Sequence, residues 1–384
     1  MFEGRIDRRR IVMLGTVVLL AGCKVIPKGV PDVPPPPVPV PTDALPTDQA
    51  RHRIALLVPM SGPNAAVGQS LANATTMALL DTNAQSIRIT TYDTFGGPAA
   101  AAARAVKDGN KLILGPVQAE DVAPIATIAR AAKVPLISYT SDSAVAARDV
   151  FVMGTMPGNA IDRTVRYART RGAARFALLA PAGDYGARAS AAYAETIRAQ
   201  GGTLIQTEGY DRSNTSVVSA ARRLKAKGGF DAVLIADGAR FAALAAPQLK
   251  APGAASPRIL GTELWSGEAV IGTTPALRGA WFAAISDGRF KQFSDSYRSR
   301  FDAAPYRIAT FGYDSVLLAV RVARDWKPGT TFPLARLSDR GGFLGLDGPF
   351  RFAPSGVIER ALEVREARAG TIAIVSPAPD KFAD

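Results

Sequence analysis

The chain has 384 residues, of which 47% are hydrophobic, and it carries a formal net charge of +13 at pH 7 with one cysteine and one histidine. This apolar content is ample for two hydrophobic cores. A single cysteine excludes an internal disulfide, and the single histidine, His52, argues against a Ser-His-Asp triad and a histidine-built metal site. We therefore expect no metal and no cofactor.

The N-terminal segment has the pattern of an exported lipoprotein. Four arginines precede the apolar run Ile11–Leu20, which is shorter than the roughly 20 residues that span a bilayer. The sequence Leu20-Ala21-Gly22-Cys23 that ends the run resembles a bacterial lipobox, in which the cysteine is lipidated and becomes the new N-terminus. Lys24 follows where aspartate would imply retention in the inner membrane, so this resemblance implies a lipid anchor in the outer membrane, facing the periplasm. A buried free cysteine behind an ordinary signal peptide is the alternative.

A proline-rich segment, Pro27–Pro46, follows the cysteine. Its proline density predicts an extended, polyproline-II-like tether over residues 23–50, behind a signal peptide over residues 1–22. At about 3.1 Å per residue, such a tether reaches roughly 80 Å from the anchor. It would let the folded part meet a target away from its own membrane, although a passive spacer fits the sequence equally well.

The basic charge bears on the partners. In the periplasm it favours anionic lipid head groups, carboxylate-bearing cell-wall peptides or an acidic protein face. Nucleic acid is not expected, because an exported lipoprotein meets little of it. Scattered, solvated arginines account for the charge equally well.

Short apolar runs alternate with amphipathic segments from Arg53 onward. The first series predicts strands at 54–58, 87–92, 111–114 and 135–137, and helices at 66–80, 98–107 and 119–132. The second series predicts strands at 175–180, 203–206, 232–235 and 258–260, and helices at 160–170, 187–199, 215–225 and 240–249. This alternation indicates βαβ units and parallel sheets covered on both faces.

We predict an α/β fold of two Rossmann-like lobes joined by three hinge crossings. The crossings are expected near residues 151–157, 278–286 and 332–345. Lobe 1 would then comprise residues 51–156 plus 280–338, and lobe 2 residues 157–279 plus 345–384. The tail, residues 348–375, alternates apolar and polar residues around a turn at Ala353–Gly356, which predicts antiparallel strands.

Five segments recur in the order and spacing of a known family: Arg53–Gly62 (RIALLVPMSG), Gly115-Pro116, Val134–Tyr139, Gly183–Gly186 and Phe311–Asp314. They resemble type I periplasmic binding proteins of the leucine/isoleucine/valine-binding group, over roughly residues 53–375. With the lipobox, the tether and the opening ALLVPMSGPNAAVG, the chain most resembles the penicillin-binding-protein activator lipoproteins.

This resemblance implies a non-enzymatic activator of a penicillin-binding protein in peptidoglycan synthesis. The alternative is a solute receptor of an ABC importer for an amino acid or a related amine. The corresponding partner is a cell-wall synthase or an ABC permease, with a small molecule in the cleft in the second case.

The first lobe departs from the family at its ligand-binding positions. In the family, the ligand lies between the lobes, at loops that follow the carboxyl ends of strands. The resemblance places Ala119 where the receptors use a serine hydroxyl, and Asp142, shortly after Thr140, where they use a threonine. Asp142 would repel a ligand carboxylate, so an ordinary α-amino acid is not expected. Ser61, Asp93 and Thr140 are further candidates for ligand binding. Turn formation is the alternative role of Ser61, and helix capping is that of Asp93.

The second lobe keeps more of the family pattern. The resemblance places Tyr185 where an aromatic ring stacks on the ligand and Glu263 where an acid binds the ammonium, and Trp265 is expected to wall the pocket. Alternatively, Tyr185 packs on its own lobe and Glu263 pairs with an arginine. Glu263, Asp142 and Asp93 together would make an acidic cleft suited to an amine, or would pair with arginines and close it. A glycosidase is not expected, because no sugar-stacking aromatic cluster accompanies these acids.

Overall fold

The computed structural model describes residues 50–250 and 256–382, so the expected signal peptide, Cys23 and tether lie outside the described residues. The strands, in chain order, are β1 (His52–Val58), β2 (Ile87–Asp93), β3 (Leu112–Leu114), β4 (Leu136–Ser138), β5 (Val150–Val152), β6 (Arg175–Pro181), β7 (Thr203–Tyr210), β8 (Ala232–Ile235), β9 (Arg258–Leu260), β10 (Trp281–Ala284), β11 (Phe343–Gly345), β12 (Gly348–Phe352), β13 (Ile358–Arg360), β14 (Glu363–Arg368) and β15 (Thr371–Ser376). The helices are α1 (Ala65–Asp81), α2 (Pro98–Lys107), α3 (Val122–Ala131), α4 (Pro157–Thr170), α5 (Asp184–Ala199), α6 (Ser216–Lys227), α7 (Ala239–Leu249), α8 (Val270–Thr273), α9 (Asp287–Phe301) and α10 (Ala309–Ala323).

The first lobe is built on a five-stranded parallel sheet in the order β2-β1-β3-β4-β5. Its central strand β1 is an unbroken buried run from Ile54 to Val58, as expected for a strand covered on both faces. Leu71 of α1 and Phe311 of α10 pack on one face. Ala101 of α2 and Ile125 of α3 pack on the other.

The second lobe is built on a seven-stranded sheet in the order β15-β14-β10-β9-β8-β6-β7. Strands β6 to β10 run parallel, and β14 and β15 are antiparallel additions at one edge. Helices α6 and α7 bury their alanine-rich faces on one side of the sheet. Helices α4 and α5 cover the other side through Ile161 and Tyr193. The predicted α/β fold of two lobes is confirmed.

A small antiparallel sheet, β11-β12-β13, joins the first lobe. Phe343, Phe350 and Ile358 from its strands belong to the same buried cluster as β1. The loop before β13 also meets the end of β5, where Val152 N donates to Gly356 O at 2.8 Å. The first and third connections between the lobes therefore run side by side.

The structure corrects the expected lobe boundaries. The sequence placed residues 280–338 in lobe 1 and residues 345–384 in lobe 2. Strand β10 instead pairs with β9 and β14 in the second sheet, so the second crossing follows Ala284. Strands β11 to β13 belong to the first lobe, so the third crossing lies between Arg360 and Glu363. The antiparallel partner of β10, strand β14, lies about 80 residues later, and local hydrophobic periodicity does not reveal such a pairing.

In the described part of the chain, no helix is both long and apolar enough to cross a bilayer.

Candidate functional site

A cavity of about 630 Å³ lies where the three crossings meet, between the two lobes. This volume falls within the roughly 300–1,000 Å³ typical of small-molecule sites. Both lobes and all three crossings contribute to its wall: Ser141, Thr155, Met156, Pro157, Asn159, Ala160, Tyr185, Arg188, Glu263, Leu264, Ser266, Gly267, Ala284, Ile285, Asp287, Phe290, Arg307, Ile308, Phe311, Arg360 and Leu362.

The second lobe contributes a tyrosine and a glutamate that contact each other. Tyr185 lies in the first turn of α5, after β6, and Glu263 begins a short 3₁₀ turn after β9. Both follow carboxyl ends of parallel strands and so meet at one edge of the sheet. Tyr185 Oη lies 2.9 Å from Glu263 Oε1 and 3.1 Å from Thr262 Oγ1. These contacts fix both side chains in the cavity wall.

Glu263 has unused hydrogen-bonding capacity. Burial raises the pKa of its carboxyl group above the usual range. Its Oε2 is buried without a hydrogen-bond partner among the described residues. Burial, reinforced by the neighbouring Glu263 carboxylate, also raises the pKa of Tyr185, so the tyrosine stays a neutral donor.

The third crossing contributes Arg360, the last residue of β13. Its side chain is 2% exposed, and its Nη2 donates a long hydrogen bond of 3.4 Å to Met153 O. Its Nε and Nη1 have no hydrogen-bond partner within the described ranges. The guanidinium carbon lies 5.3 Å from the ring centres of Phe311 and Phe350, which fits cation–π contact.

Two buried carboxylates approach Arg360 without hydrogen-bonding to it. Asp314 Oδ2 and Asp347 Oδ2 lie 3.7 Å and 4.0 Å from its Nη1. Asp347 is occupied elsewhere: it accepts hydrogen bonds of 2.8 Å from Arg307 Nη2 and from Thr310 Oγ1. Burial, followed by the charge of Asp347, raises the pKa of Asp314 to about 7.

The charge of the cavity differs from the acidic cleft that the sequence allowed. The described residues that line it include three arginines (Arg188, Arg307 and Arg360) and two acids (Glu263 and Asp287). Asp287 also pairs with Arg365 at 2.8 Å. Asp93 and Asp142 are not among the lining residues. The wall is therefore weakly basic rather than acidic.

The first-lobe candidates contact one another instead of lining the cavity. Ser61 Oγ donates to Asp93 Oδ2 at 2.5 Å, and Met60 N donates to Asp93 Oδ1 at 2.8 Å, so Asp93 ties two loops together. Helix α2, which Asp93 was expected to cap, begins after Gly97 without a side-chain cap.

The loop after β4 is likewise satisfied internally. Asp142 Oδ1 accepts a hydrogen bond from Ala144 N at 3.0 Å and caps a short 3₁₀ turn. Asp142 N in turn donates to Thr140 Oγ1 at 3.2 Å. Ala119 is half-buried in the loop before α3 and carries no polar side-chain atom. Only Ser141, next to these candidates, reaches the cavity wall among the described residues of this loop.

Trp265 does not wall the cavity. It is fully buried in the core of the second lobe, and its Nε1 donates to Asp237 O at 2.8 Å. Its ring lies flat over Gly261, where a Cβ atom would overlap the indole. The indole therefore points into the core and supports the turn that carries Glu263.

Sequence reasoning missed the arginines and most of the aromatic wall. Phe311 belongs to one of the quoted family segments, but Phe290, Arg307 and Arg360 carry no local signal. They reach the cavity only because β13 and α9 join the first lobe through pairings that are distant in the sequence. No cluster of three His, Cys, Asp or Glu side chains suited to a metal ion occurs in the described residues.

The two lobes and the cavity between them define a bilobal binding protein. A family model described as periplasmic binding protein matches residues 52–371. The chain belongs to this family, and its fold is of the leucine/isoleucine/valine-binding type. Family membership implies a periplasmic location, and the homologues are solute-binding proteins.

Solved structures share this fold, and one curated relative matches part of the sequence. A putative branched-chain amino acid ABC transporter protein from Rhodospirillum rubrum superposes with a TM-score of 0.73 at 22% identity, covering 85% of this chain and 100% of that chain. An ABC transporter substrate-binding protein from Desulfitobacterium hafniense, in complex with leucine, superposes with a TM-score of 0.60 at 19% identity. The match covers 85% of this chain and 100% of that chain. An uncharacterized protein of Rickettsia prowazekii is 28% identical over 179 residues, which are 46% of this chain and 48% of that protein. The match thus spans about half the length of this curated relative.

Proposed function

We propose that this protein is a periplasmic solute receptor that binds a small organic molecule between its lobes and delivers it to an ABC permease without changing it chemically. The cavity of about 630 Å³ carries this proposal, because two buried side chains of its wall have atoms without a hydrogen-bond partner among the described residues: Nε and Nη1 of Arg360 and Oε2 of Glu263. Buried polar groups in folded proteins are nearly always hydrogen-bonded, so such groups in a cavity favour a bound ligand.

The position of the cavity supports a closure mechanism. Met156, Ile285 and Leu362 come from the three crossings, and Leu264 and Phe311 come from the facing lobes. A ligand that contacts both lobes stabilises their closed arrangement, which is the usual response of such hinged folds. The D. hafniense structure, which is described as a complex with leucine, provides a precedent for the fold but not for this ligand.

Two matched variants test solute binding. Leu264 lines the cavity and Leu244 on α7 does not, and both side chains are 39% exposed. A thermal-shift screen of amino acids, amines, short peptides and organic acids should identify a stabilising solute, since a ligand at 100 times its dissociation constant adds about 2.7 kcal/mol. Leu264→Trp should obstruct part of the cavity and reduce the shift, and Leu244→Trp should preserve it. A screen without any shift, or equal behaviour of the two variants, contradicts the proposal.

The N-terminal sequence supports lipid anchoring in addition. The segment Leu20–Cys23 and the proline-rich tether would hold the receptor at a membrane, in the outer membrane if Lys24 acts as the resemblance implies. Mass spectrometry of the mature N-terminus should find an acylated Cys23, and Cys23→Ser should release the protein into the soluble periplasmic fraction. An unmodified N-terminus that begins elsewhere contradicts the anchor.

A second candidate function is activation of a penicillin-binding protein. The lipobox and the tether favour it, and so does the replacement of family hydroxyl positions by Ala119 and Asp142. Affinity capture from detergent-solubilised membranes separates the two candidates. Recovery of a cell-wall synthase supports activation, and recovery of permease subunits supports solute delivery.

A further inference from the structure

We propose that Arg360 is the anion-binding residue of the cavity, and that the solute is an organic anion with an apolar body, such as a carboxylate. This inference rests on the proposed function and names the class of solute that the site takes.

The first step concerns the burial and the unused hydrogen-bond donors of the Arg360 guanidinium. Arg360 is almost fully buried, yet its Nε and Nη1 find no acceptor in the described part of the chain. A buried charge is stable only when it is paired and hydrogen-bonded. Its donors and its place in the cavity wall therefore suit an anion from outside the chain.

The second step is the competition from nearby acids. Asp347 uses its two oxygens for Arg307 and Thr310, each at 2.8 Å, and lies 4.0 Å from Arg360. Asp314 lies 3.7 Å away, and its Oδ1 accepts from Leu346 N at 2.6 Å. Burial and the charge of Asp347 raise the pKa of Asp314, which disfavours the charged form of this acid beside Arg360. Both carboxylates are ion-pair neighbours of Nη1, but neither accepts a hydrogen bond from Nε or Nη1.

The third step is the surrounding wall. Phe311 contacts the guanidinium, and Phe290, Met156 and Leu362 add apolar surface to the same cavity. An anion bound at Arg360 would place its apolar part against these side chains. Glu263, on the second-lobe side, disfavours a second anionic group and can contact a donor of the solute.

The position of Arg360 also differs from the first-lobe positions at which the family resemblance placed carboxylate binding. Ala119 and Asp142 offer no donor side chain and do not line the cavity. Arg360 lies at the third crossing, between β13 of the first lobe and β14 of the second. An anion held there contacts the hinge itself, so its binding would bias the angle between the lobes.

A matched series of three compounds tests the inference on the full mature chain. 3-Phenylpropanoate, 3-phenylpropanamide and 3-phenylpropylamine share one ring and chain but carry a carboxylate, a neutral amide and an ammonium. Calorimetric titration should give an affinity for the carboxylate at least about tenfold higher than for the other two, as expected for a charge-assisted hydrogen bond. Equal affinities, or tighter binding of the amine, overturn the inference.

Variants assign the preference to the residue. Arg360→Met should remove the preference for the carboxylate, and Arg360→Lys, which keeps the charge beside Asp314 and Asp347, should retain part of it. Arg351→Met is the control, because Arg351 pairs with Glu359 on the same small sheet and does not line the cavity. If Arg360→Met does not fold, Arg360→Lys decides: an unchanged preference and affinity contradict the role of Arg360.

The outcomes also separate this inference from the proposed function. Binding of the amide or amine with no carboxylate preference, weakened by Leu264→Trp but not by Leu244→Trp, leaves the receptor function standing and rejects Arg360 as the anion site. Failure of all three compounds to bind at 20 mM rejects the proposed solute class, and the wider solute screen then decides the receptor function by itself.

Discussion

The two sides of the interlobe cleft differ in how their polar groups are used. On the first-lobe side, Ser61, Asp93 and Asp142 satisfy one another or nearby backbone amides. By contrast, Arg360, which ends β13 just before the third crossing, and Glu263 of the second lobe keep buried atoms without hydrogen-bond partners in the described residues.

This difference shows which residues have hydrogen-bonding atoms available for a ligand. A hydrogen bond that is already made within the protein adds little when a solute arrives, because it must first be broken. A buried donor or acceptor without a partner gains the whole interaction. The structure thus favours binding at the end of β13 and on the second lobe, whereas the resemblance pointed to hydroxyls in the loops after β3 and β4.

The largest expected effect comes from breaking the charge cluster that surrounds Arg360. Asp347→Ala removes the acceptor of Arg307 and Thr310 and leaves Arg360 buried beside Asp314 alone, so we expect a loss of about 3 kcal/mol in the free energy of unfolding. Urea unfolding followed by circular dichroism measures it.

The matched control for this cluster is an exposed ion pair. Asp339 pairs with Arg321 at 3.0 Å, with both side chains more than 40% exposed, so Asp339→Ala should cost less than about 1 kcal/mol. Equal costs for the two variants would show that the cluster at the hinge is no more than a surface ion-pair network.

The next effect concerns the first crossing, where the chain passes close to the loop after β4. A Cβ atom at Gly154 would overlap the backbone carbonyl of Thr140. Gly154→Ala should therefore cost about 1–3 kcal/mol and displace Ser141 at the cavity wall. Gly158→Ala is the control, because its Cβ would meet only Ala192 at 3.6 Å and it lies in helix α4, where alanine is favoured. If Gly154→Ala is as stable as the control, the two segments are not held in this close approach.

The pH dependence of stability tests the buried acid next to Arg360. Burial and Asp347 raise the pKa of Asp314 to about 7, whereas Arg360 and hydrogen bonds from the backbone of Leu346 and Asp347 lower it. Asp314 in turn raises the pKa of the neighbouring Tyr139 and Tyr313. The ordinary pKa of Asp314 is about 3.9, so between pH 4 and 7 the folded state holds a proton that the unfolded state lacks. This contribution to stability is present at low pH and is lost as the pH rises through about 7.

Replacement of Asp314 should weaken the pH dependence of the free energy of unfolding. Asp314→Asn is expected to remove roughly 2–3 kcal/mol of the change in unfolding free energy between pH 5 and 7.5. Asp231→Asn should leave this interval unchanged, because hydrogen bonds from the Arg175 side chain and backbone lower the pKa of Asp231 to about 2. Parallel pH profiles for wild type and Asp314→Asn would contradict the raised pKa.

Local and distant interactions explain which features could be predicted from the sequence. Apart from β5, which was not predicted, the strands and helices up to β9 agree with the predictions within a few residues, since continuous apolar runs and helical periodicity are local signals. The lobe to which β10 and β13 belong depends on partners far along the chain. Family resemblance located Tyr185 and Glu263 in the wall, but Arg360 sits on a three-residue strand, and its surroundings come from Asp314, Asp347 and Phe311 on other elements.

The smallest expected effect distinguishes the two sides of the cleft directly. Ser61→Ala removes one hydrogen bond to Asp93, which still accepts from Met60 N and Phe95 N, so stability should fall by less than about 1 kcal/mol. Because Ser61 does not line the cavity, the dissociation constant of a bound solute should stay within about twofold of wild type, whereas Glu263→Gln should change it more. Calorimetric titration of both variants with the same solute measures the contrast. If Ser61→Ala lowers the affinity for the solute more than Glu263→Gln does, lobe closure brings the first-lobe loops onto the ligand. The inference that the residues with unpartnered atoms bind the ligand would then be wrong.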